Sequence, residues 1–169
     1  MNTTIRIAGI INESIVDGPG IRLVVFAQGC PHRCQGCHNP QTHPFEGGQL
    51  VTIDDILEMV KKNPLLDGVT FSGGEPFSQA KPFARLGQRL KELGMNIMTY
   101  TGYTYEYLLK ENNNSNGWKE LLDVSDILVD GRFEIEKKNL LLPFRGSENQ
   151  RIIDMNKTRE QQRIVLLPL

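Results

Sequence analysis

Apolar and polar residues change period repeatedly along this chain. RLVVFAQ (22–28) is a β-branched, apolar run with the pattern of a buried strand. IDDILEMVKK (53–62) spaces its apolar residues as a helix does, with Thr52 in position to cap it. GVTFSGG (68–74) reads as a short strand ending on glycines, and AKPFARLGQRLKELG (80–94) as an amphipathic helix closed by Gly94. NIMTYTG (96–102) is a third strand and TYEYLLKE (104–111) a helix. ENNNSNGW (111–118) is a polar surface turn. WKELLDVS (118–125) then gives a short helix, DILVDG (126–131) a fourth strand, and RIID (151–154) and RIVLLP (163–168) are candidates for further strands.

Strands alternating with helices imply a parallel sheet with right-handed crossovers. A βαβ unit takes roughly 30 residues, so the chain holds about five strands rather than the eight of a full barrel. The expected fold is α/β: a partial, open TIM-like barrel of about five parallel βα units with a lateral opening, one domain over residues 1–169. Ligands in such folds sit at the C-terminal ends of the strands. The loop after residue 28, the Gly-Gly-Glu after the second strand and the Thr-Gly after the third all fall at such ends.

Composition narrows the function little. Lys plus Arg number 19 and Asp plus Glu 20, a formal net charge of −1, which gives no reason to expect a nucleic-acid or anionic membrane partner. The first residues, MNTTIRIAGIINES, lack a basic-then-apolar leader pattern, and no apolar run is long enough to cross a bilayer. The expected location is the cytoplasm.

The chemistry concentrates in GCPHRCQGCHNP (29–40), which contains all three cysteines: Cys30, Cys34 and Cys37. Three soft thiolates at this spacing select an iron–sulfur cluster, zinc or copper(I). A 4Fe–4S cubane normally takes four cysteines, so three leave one iron open to an outside ligand. His32, His38 and His43 stand nearby, which keeps a non-catalytic Cys3His zinc site as an alternative, with three free thiols as another. Ser72-Gly73-Gly74-Glu75-Pro76 follows on the next strand, where glycines let the backbone approach a ligand closely.

Cys30-x-x-x-Cys34-x-x-Cys37 followed by Gly73-Gly74-Glu75 resembles the radical S-adenosylmethionine enzymes. The resemblance implies a 4Fe–4S cluster on Cys30, Cys34 and Cys37, its open iron chelated by the amino and carboxylate groups of S-adenosylmethionine. Gly73, Gly74 and Glu75 would hold the methionine amino group. DGPGIR (17–22) narrows the likeness to the activases of glycyl radical enzymes. ILVDGRF (127–133), PFRGSENQRIID (143–154) and the short length are similar to activators of anaerobic ribonucleoside-triphosphate reductase, while the pyruvate formate-lyase activators remain the alternative.

Further residues carry over by position. Where the superfamily often has an aromatic residue before the last cysteine, this chain has Gly36. His38 is therefore the expected adenine contact, with Gly36 giving close backbone contact. Thr101 follows the third strand. Thr99 stands where the formate-lyase activators have an acidic residue, Asp130 matches a later acidic residue, and Arg132 replaces a lysine. Arg145 and Asn149 fall in the FRGSEN stretch. The implied reaction gives one electron from the cluster to S-adenosylmethionine. The resulting 5′-deoxyadenosyl radical then takes hydrogen from a glycine on the large subunit of the reductase. The resemblance also implies a low-potential electron donor such as flavodoxin. No acid–base dyad is needed, so no further catalytic side chain is assigned. Asp17, Gly18, Gly20 and Arg22 are candidates for lining the mouth of the site.

Overall fold

The computed structural model describes residues 3–169. Seven strands form one sheet in the order β3-β1-β2-β4-β5-β6-β7. They are β1 (Thr4–Ser14), β2 (Arg22–Ala27), β3 (Gln49–Thr52), β4 (Gly68–Gly73), β5 (Asn96–Tyr100), β6 (Ile127–Asp130) and β7 (Arg151–Asp154). The helices are α1 (Ile53–Lys61), α2 (Ala80–Glu92), α3 (Tyr105–Glu111), α4 (Trp118–Val124) and α5 (Met155–Gln161). No helix among the described residues is long and apolar enough to cross a membrane.

β2, β4, β5 and β6 run parallel, while β1, β3 and β7 join antiparallel at the flanks. The α/β class and the open, partial barrel agree with the sequence pattern. The count and the directions at the flanks differ from five parallel units. β1 carries its buried residues Ile5 and Ile7 in alternation with half-exposed neighbours, a weaker signal than the continuous apolar run of β2. β3 is only four residues long and largely exposed. Residues 163–168 contribute a single bridge, Ile153 to Leu166, rather than a strand.

The helix boundaries follow local chemistry. Thr52 caps α1 through a reciprocal box with Asp55. Thr104 and Asp154 cap α3 and α5 by accepting from Tyr107 N–H and Lys157 N–H. After α2, Gly94 takes φ +82° and the Met95 N–H returns to Leu90 O, closing the helix.

Strand alternation gives the sheet two different faces. Leu23, Val25, Ala27, Val69, Phe71, Ile97 and Leu128 pack with Ile56, Phe83, Leu86, Leu108, Leu121 and Met155 from all five helices. On the other face Met98, Ile127, Val129 and Ile152 form a smaller cluster with Tyr100 and Phe144. The 15–21 loop closes the foot of that second face. There Arg22 is 1% exposed and donates to Thr70 Oγ1, Pro19 O, Val69 O, Asn96 O and Asn96 Oδ1. Burial lowers its pKa to about 10. Arg22 therefore does not line a mouth: it opens β2 and pairs with Gly68 and Asn96, the first residues of β4 and β5. Gly18 and Gly20 are tied to the same foot, where added Cβ atoms would lie 2.6 Å from Met98 Sδ and 2.5 Å from Asp67 Oδ2.

Candidate functional site

The four parallel strands end together, and four loops meet there. The loop after β2 holds the cysteines. Gly29 takes φ +105°, a conformation glycine adopts without strain. Gly29 N–H bonds Thr42 O at 2.6 Å and Cys30 N–H bonds His43 O at 3.0 Å, so the loop closes on itself. The Gln28 amide props it from inside, donating to Gln41 O at 3.2 Å and Pro44 O at 2.5 Å. Cys30 is buried and Cys34 and Cys37 are half-buried, all three unpaired. Burial pushes the Cys30 thiol up, against smaller opposing contributions from the backbone of His32 and Arg33. Burial also raises Cys34. The Asn39 N–H reaches Cys37 Sγ at 3.4 Å.

The turn after β4 is fastened to this loop by backbone. Gly74 N–H bonds Ala27 O at 2.9 Å and Glu75 N–H bonds Gly29 O at 2.8 Å. There is no room for side chains: a Cβ on Gly73 would lie 2.5 Å from Ala27 N, and one on Gly74 2.4 Å from Gly29 O. Glu75 is fully buried. Its Oε1 accepts from His32 Nε2 at 2.6 Å, Thr101 Oγ1 at 3.0 Å and Gly102 N–H at 2.8 Å, and its Oε2 from Phe77 N–H at 3.0 Å. A carboxylate only accepts, so the His32 Nε2 carries the proton.

A cavity of about 530 Å³ is walled by Cys30, Cys34, Cys37, Gly73, Gly74, His38, Thr101 and Arg132, among others. That volume lies in the range of small-molecule sites, about 300–1,000 Å³. The Glu75 carboxylate stands behind this wall, joining the cysteine loop to the ends of β4 and β5. Gly36, at φ +76°, abuts Ile135, whose Cδ1 would be 2.7 Å from an added Cβ. The His38 ring meets Phe133 edge to face, with centroids 5.3 Å apart. Thr99 faces the helices and bonds Ser125 Oγ at 2.8 Å. Asp130 is 1% exposed. It is held by Arg151 Nε at 3.0 Å and Arg151 Nη2 at 2.5 Å, and it accepts the Tyr105 N–H at 2.8 Å. Asp130 faces an adjoining cavity of about 760 Å³, which Arg132 and Asn149 also line. Arg145 is on the cysteine cavity wall, donating from Nη1 to Gln150 O at 2.6 Å.

The structure adds residues that sequence reasoning missed. Tyr100 projects from the inner face of β5 into the cavity, its hydroxyl donating to Phe144 O at 2.5 Å; burial raises its pKa above the ordinary phenol value. The signal was its alternation with the core residue Thr99. Phe133, which seats His38, closes the ILVDGRF stretch, where no pattern assigned it a role of its own. Asp17, from the 15–21 loop, reaches the cavity as expected.

The donor set suits an iron–sulfur cluster. Three thiols share one cavity wall, and the Asn39 backbone N–H approaches the Cys37 sulfur. A Cys3His zinc site has less support. His32 is committed to Glu75. Among the described residues no three His, Cys, Asp or Glu side chains gather closely enough to hold one metal ion.

Residues 16–153 match the family described as "4Fe-4S single cluster domain". The chain is 39% identical over 135 residues to the pyruvate formate-lyase-activating enzyme of Clostridium pasteurianum, covering 75% of this chain and 55% of that protein. It therefore spans about half the length of that relative. It is 34% identical over 149 residues to the anaerobic ribonucleoside-triphosphate reductase-activating protein of Haemophilus influenzae, covering 80% of this chain and 89% of that one. With the protein of the same description from Vibrio cholerae it is 37% identical over 144 residues, covering 80% and 89%.

Proposed function

The chain belongs to the radical S-adenosylmethionine activases of glycyl radical enzymes, and from that premise we propose that it installs the glycyl radical of an anaerobic ribonucleoside-triphosphate reductase. The observation that carries the chemistry is the cavity at the strand ends, with three thiols on one side and the Gly73-Gly74 backbone on another. Cys30, Cys34 and Cys37 would hold a 4Fe–4S cluster with one open iron. When bound, the cluster supplies one electron that breaks a carbon–sulfur bond of S-adenosylmethionine, giving methionine and a 5′-deoxyadenosyl radical that takes hydrogen from a glycine Cα.

The chain's own residues bind, orient and exclude water. Gly73 and Gly74 line the cavity with backbone that would hold the methionine amino group. His38, braced by Phe133, offers a ring face or edge to adenine, and Gly36 lets the adjacent loop pack close behind it. Arg132, exposed between the two cavities, offers a cation to the methionine carboxylate. Thr101 holds the wall through Glu75. Asp130 contributes by fixing Arg151 and the start of α3 rather than through a free carboxylate.

The reductase is favoured as partner by the FRGSENQR stretch and by relatives matched over 89% of their length. Pyruvate formate-lyase is the second reading, carried by the 39% identity to its activating enzyme. The electron donor is a low-potential protein of the flavodoxin kind. The test is release of 5′-deoxyadenosine by protein reconstituted anaerobically with iron and sulfide, reduced and given S-adenosylmethionine. Release by wild type and none by Cys34→Ala supports the reading. One zinc per chain with no iron uptake overturns it.

A further inference from the structure

β6 ends at Asp130, and the chain leaves the sheet through Gly131, φ +99°, whose N–H bonds Tyr103 O at 2.9 Å. Residues 132–134 belong to no strand or helix, so their backbone polar groups need other partners. They find them in the side chains of one turn, SENQ (147–150), just before β7. Gln150 Nε2 donates to Gly131 O at 3.0 Å, Asn149 Nδ2 donates to Arg132 O at 2.8 Å, and Ser147 Oγ accepts the Glu134 N–H at 3.2 Å. Gln150 also closes the turn that bears it. Its Oε1 accepts the Gly146 and Ser147 N–H groups at 2.9 and 3.1 Å, and its main-chain oxygen accepts from Arg145 Nη1 at 2.6 Å. One side-chain amide thus uses both its ends, the oxygen on its own turn and the nitrogen on the segment that carries Arg132.

We propose that Gln150 is a positioning residue: its bond to Gly131 fixes the backbone from which Arg132 reaches the cavity, and so sets the affinity for S-adenosylmethionine. This rests on the reading in which Arg132 receives the methionine carboxylate. Arg132 is exposed and lines both cavities. A long, exposed side chain meets one point in space reliably only from a fixed backbone. Asp130 is held independently by Arg151 and the Tyr105 N–H, so β6 keeps its place without Gln150. What Gln150 and Asn149 add is the direction in which the chain leaves the strand. The turn supplies none of the bonds that close the cysteine loop, which come from Gln28, Thr42 and His43.

The experiment is calorimetric titration of S-adenosylmethionine into the reconstituted protein with its cluster oxidised, so that binding is read without cleavage. Iron is counted in every sample. Gln150→Ala is expected to raise the Kd about tenfold, the scale of one misaligned hydrogen bond to a charged group, with iron as in wild type. Asn149→Ala, which removes the bond to Arg132 O, should raise it too, and it decides if Gln150→Ala does not fold. In an Arg132→Ala background either substitution should cost less than about twofold, because the group it aims is gone. Asp126→Asn, at the other end of β6, should bind as wild type does. A wild-type Kd in the deciding variant overturns the proposal. So does an undiminished effect in the Arg132→Ala background, or an equal loss in Asp126→Asn, which would make the effect one of general stability. A wild-type Kd in Arg132→Ala alone contradicts the reading of Arg132 itself and takes the proposal with it, whereas the other failures leave that reading standing.

Discussion

Glu75→Gln exchanges one buried oxygen for an NH₂ group and tests whether this side chain fastens the site together. The carboxylate accepts four hydrogen bonds, three on Oε1 and one on Oε2. A glutamine placing its nitrogen at Oε1 would face three donors, so the amide takes the other orientation and its nitrogen faces the Phe77 N–H. The three remaining bonds go to a neutral oxygen instead of a charged one. Losing one hydrogen bond to a charged group, with a buried N–H left unpaired, predicts about 2–4 kcal/mol of destabilisation. The loss falls where the cysteine loop, the Gly-Gly turn and the β5 end join, so iron retention should fall with it. Urea unfolding of the iron-free protein reads the first effect, and iron per chain after desalting reads the second. A loss under about 0.5 kcal/mol, the size of an ordinary surface change, with full iron retention would refute the latch.

Arg22→Ala should destabilise by about 3 kcal/mol or more, because five backbone or side-chain acceptors lose their donor inside the fold; an unchanged urea midpoint would contradict its placement. Arg132→Ala should leave the unfolding midpoint within about 0.5 kcal/mol of wild type while raising the apparent KM for S-adenosylmethionine; an unchanged KM removes it from the site. Asp126 is buried, which alone would raise its pKa, but Lys91, the Ile97 N–H and Asn156 together hold it below 3.8. A depressed folded pKa means this stability is present above the unfolded value and is lost as pH falls through the folded one. Acid titration of the melting temperature should therefore be flatter in Asp126→Asn than in wild type below about pH 4, and parallel curves would refute the assignment.

The central strands and the helices were legible because their patterns are uninterrupted. RLVVFA is buried on both faces, and α1 and α2 place apolar residues on one side. β1 and β3 were hidden because a flanking strand buries only part of one face, and Gly9 with the polar residues after it breaks the alternation. The cysteines and the Gly-Gly turn announced themselves by spacing and by position after strands. Arg22 misled: an arginine after DGPGI reads as a surface cation, and only the convergence of Pro19, Val69, Thr70 and Asn96 on it reveals a buried one. Glu75 was legible as part of the motif. Its bonds to His32 and Gly102 span 43 and 27 residues of sequence, which no local pattern encodes.

The central claim is that this chain uses its three-thiol site to create a radical on another protein's glycine. The most direct measurement mixes the reduced, reconstituted protein and S-adenosylmethionine with anaerobic ribonucleoside-triphosphate reductase, or separately with pyruvate formate-lyase. The glycyl doublet is then recorded by electron paramagnetic resonance. The account predicts a doublet on the reductase, absent with Cys34→Ala and absent when the reductase's radical-loop glycine is replaced by alanine. A doublet on pyruvate formate-lyase alone would contradict the named partner, and 5′-deoxyadenosine release with no doublet on either would contradict the activase.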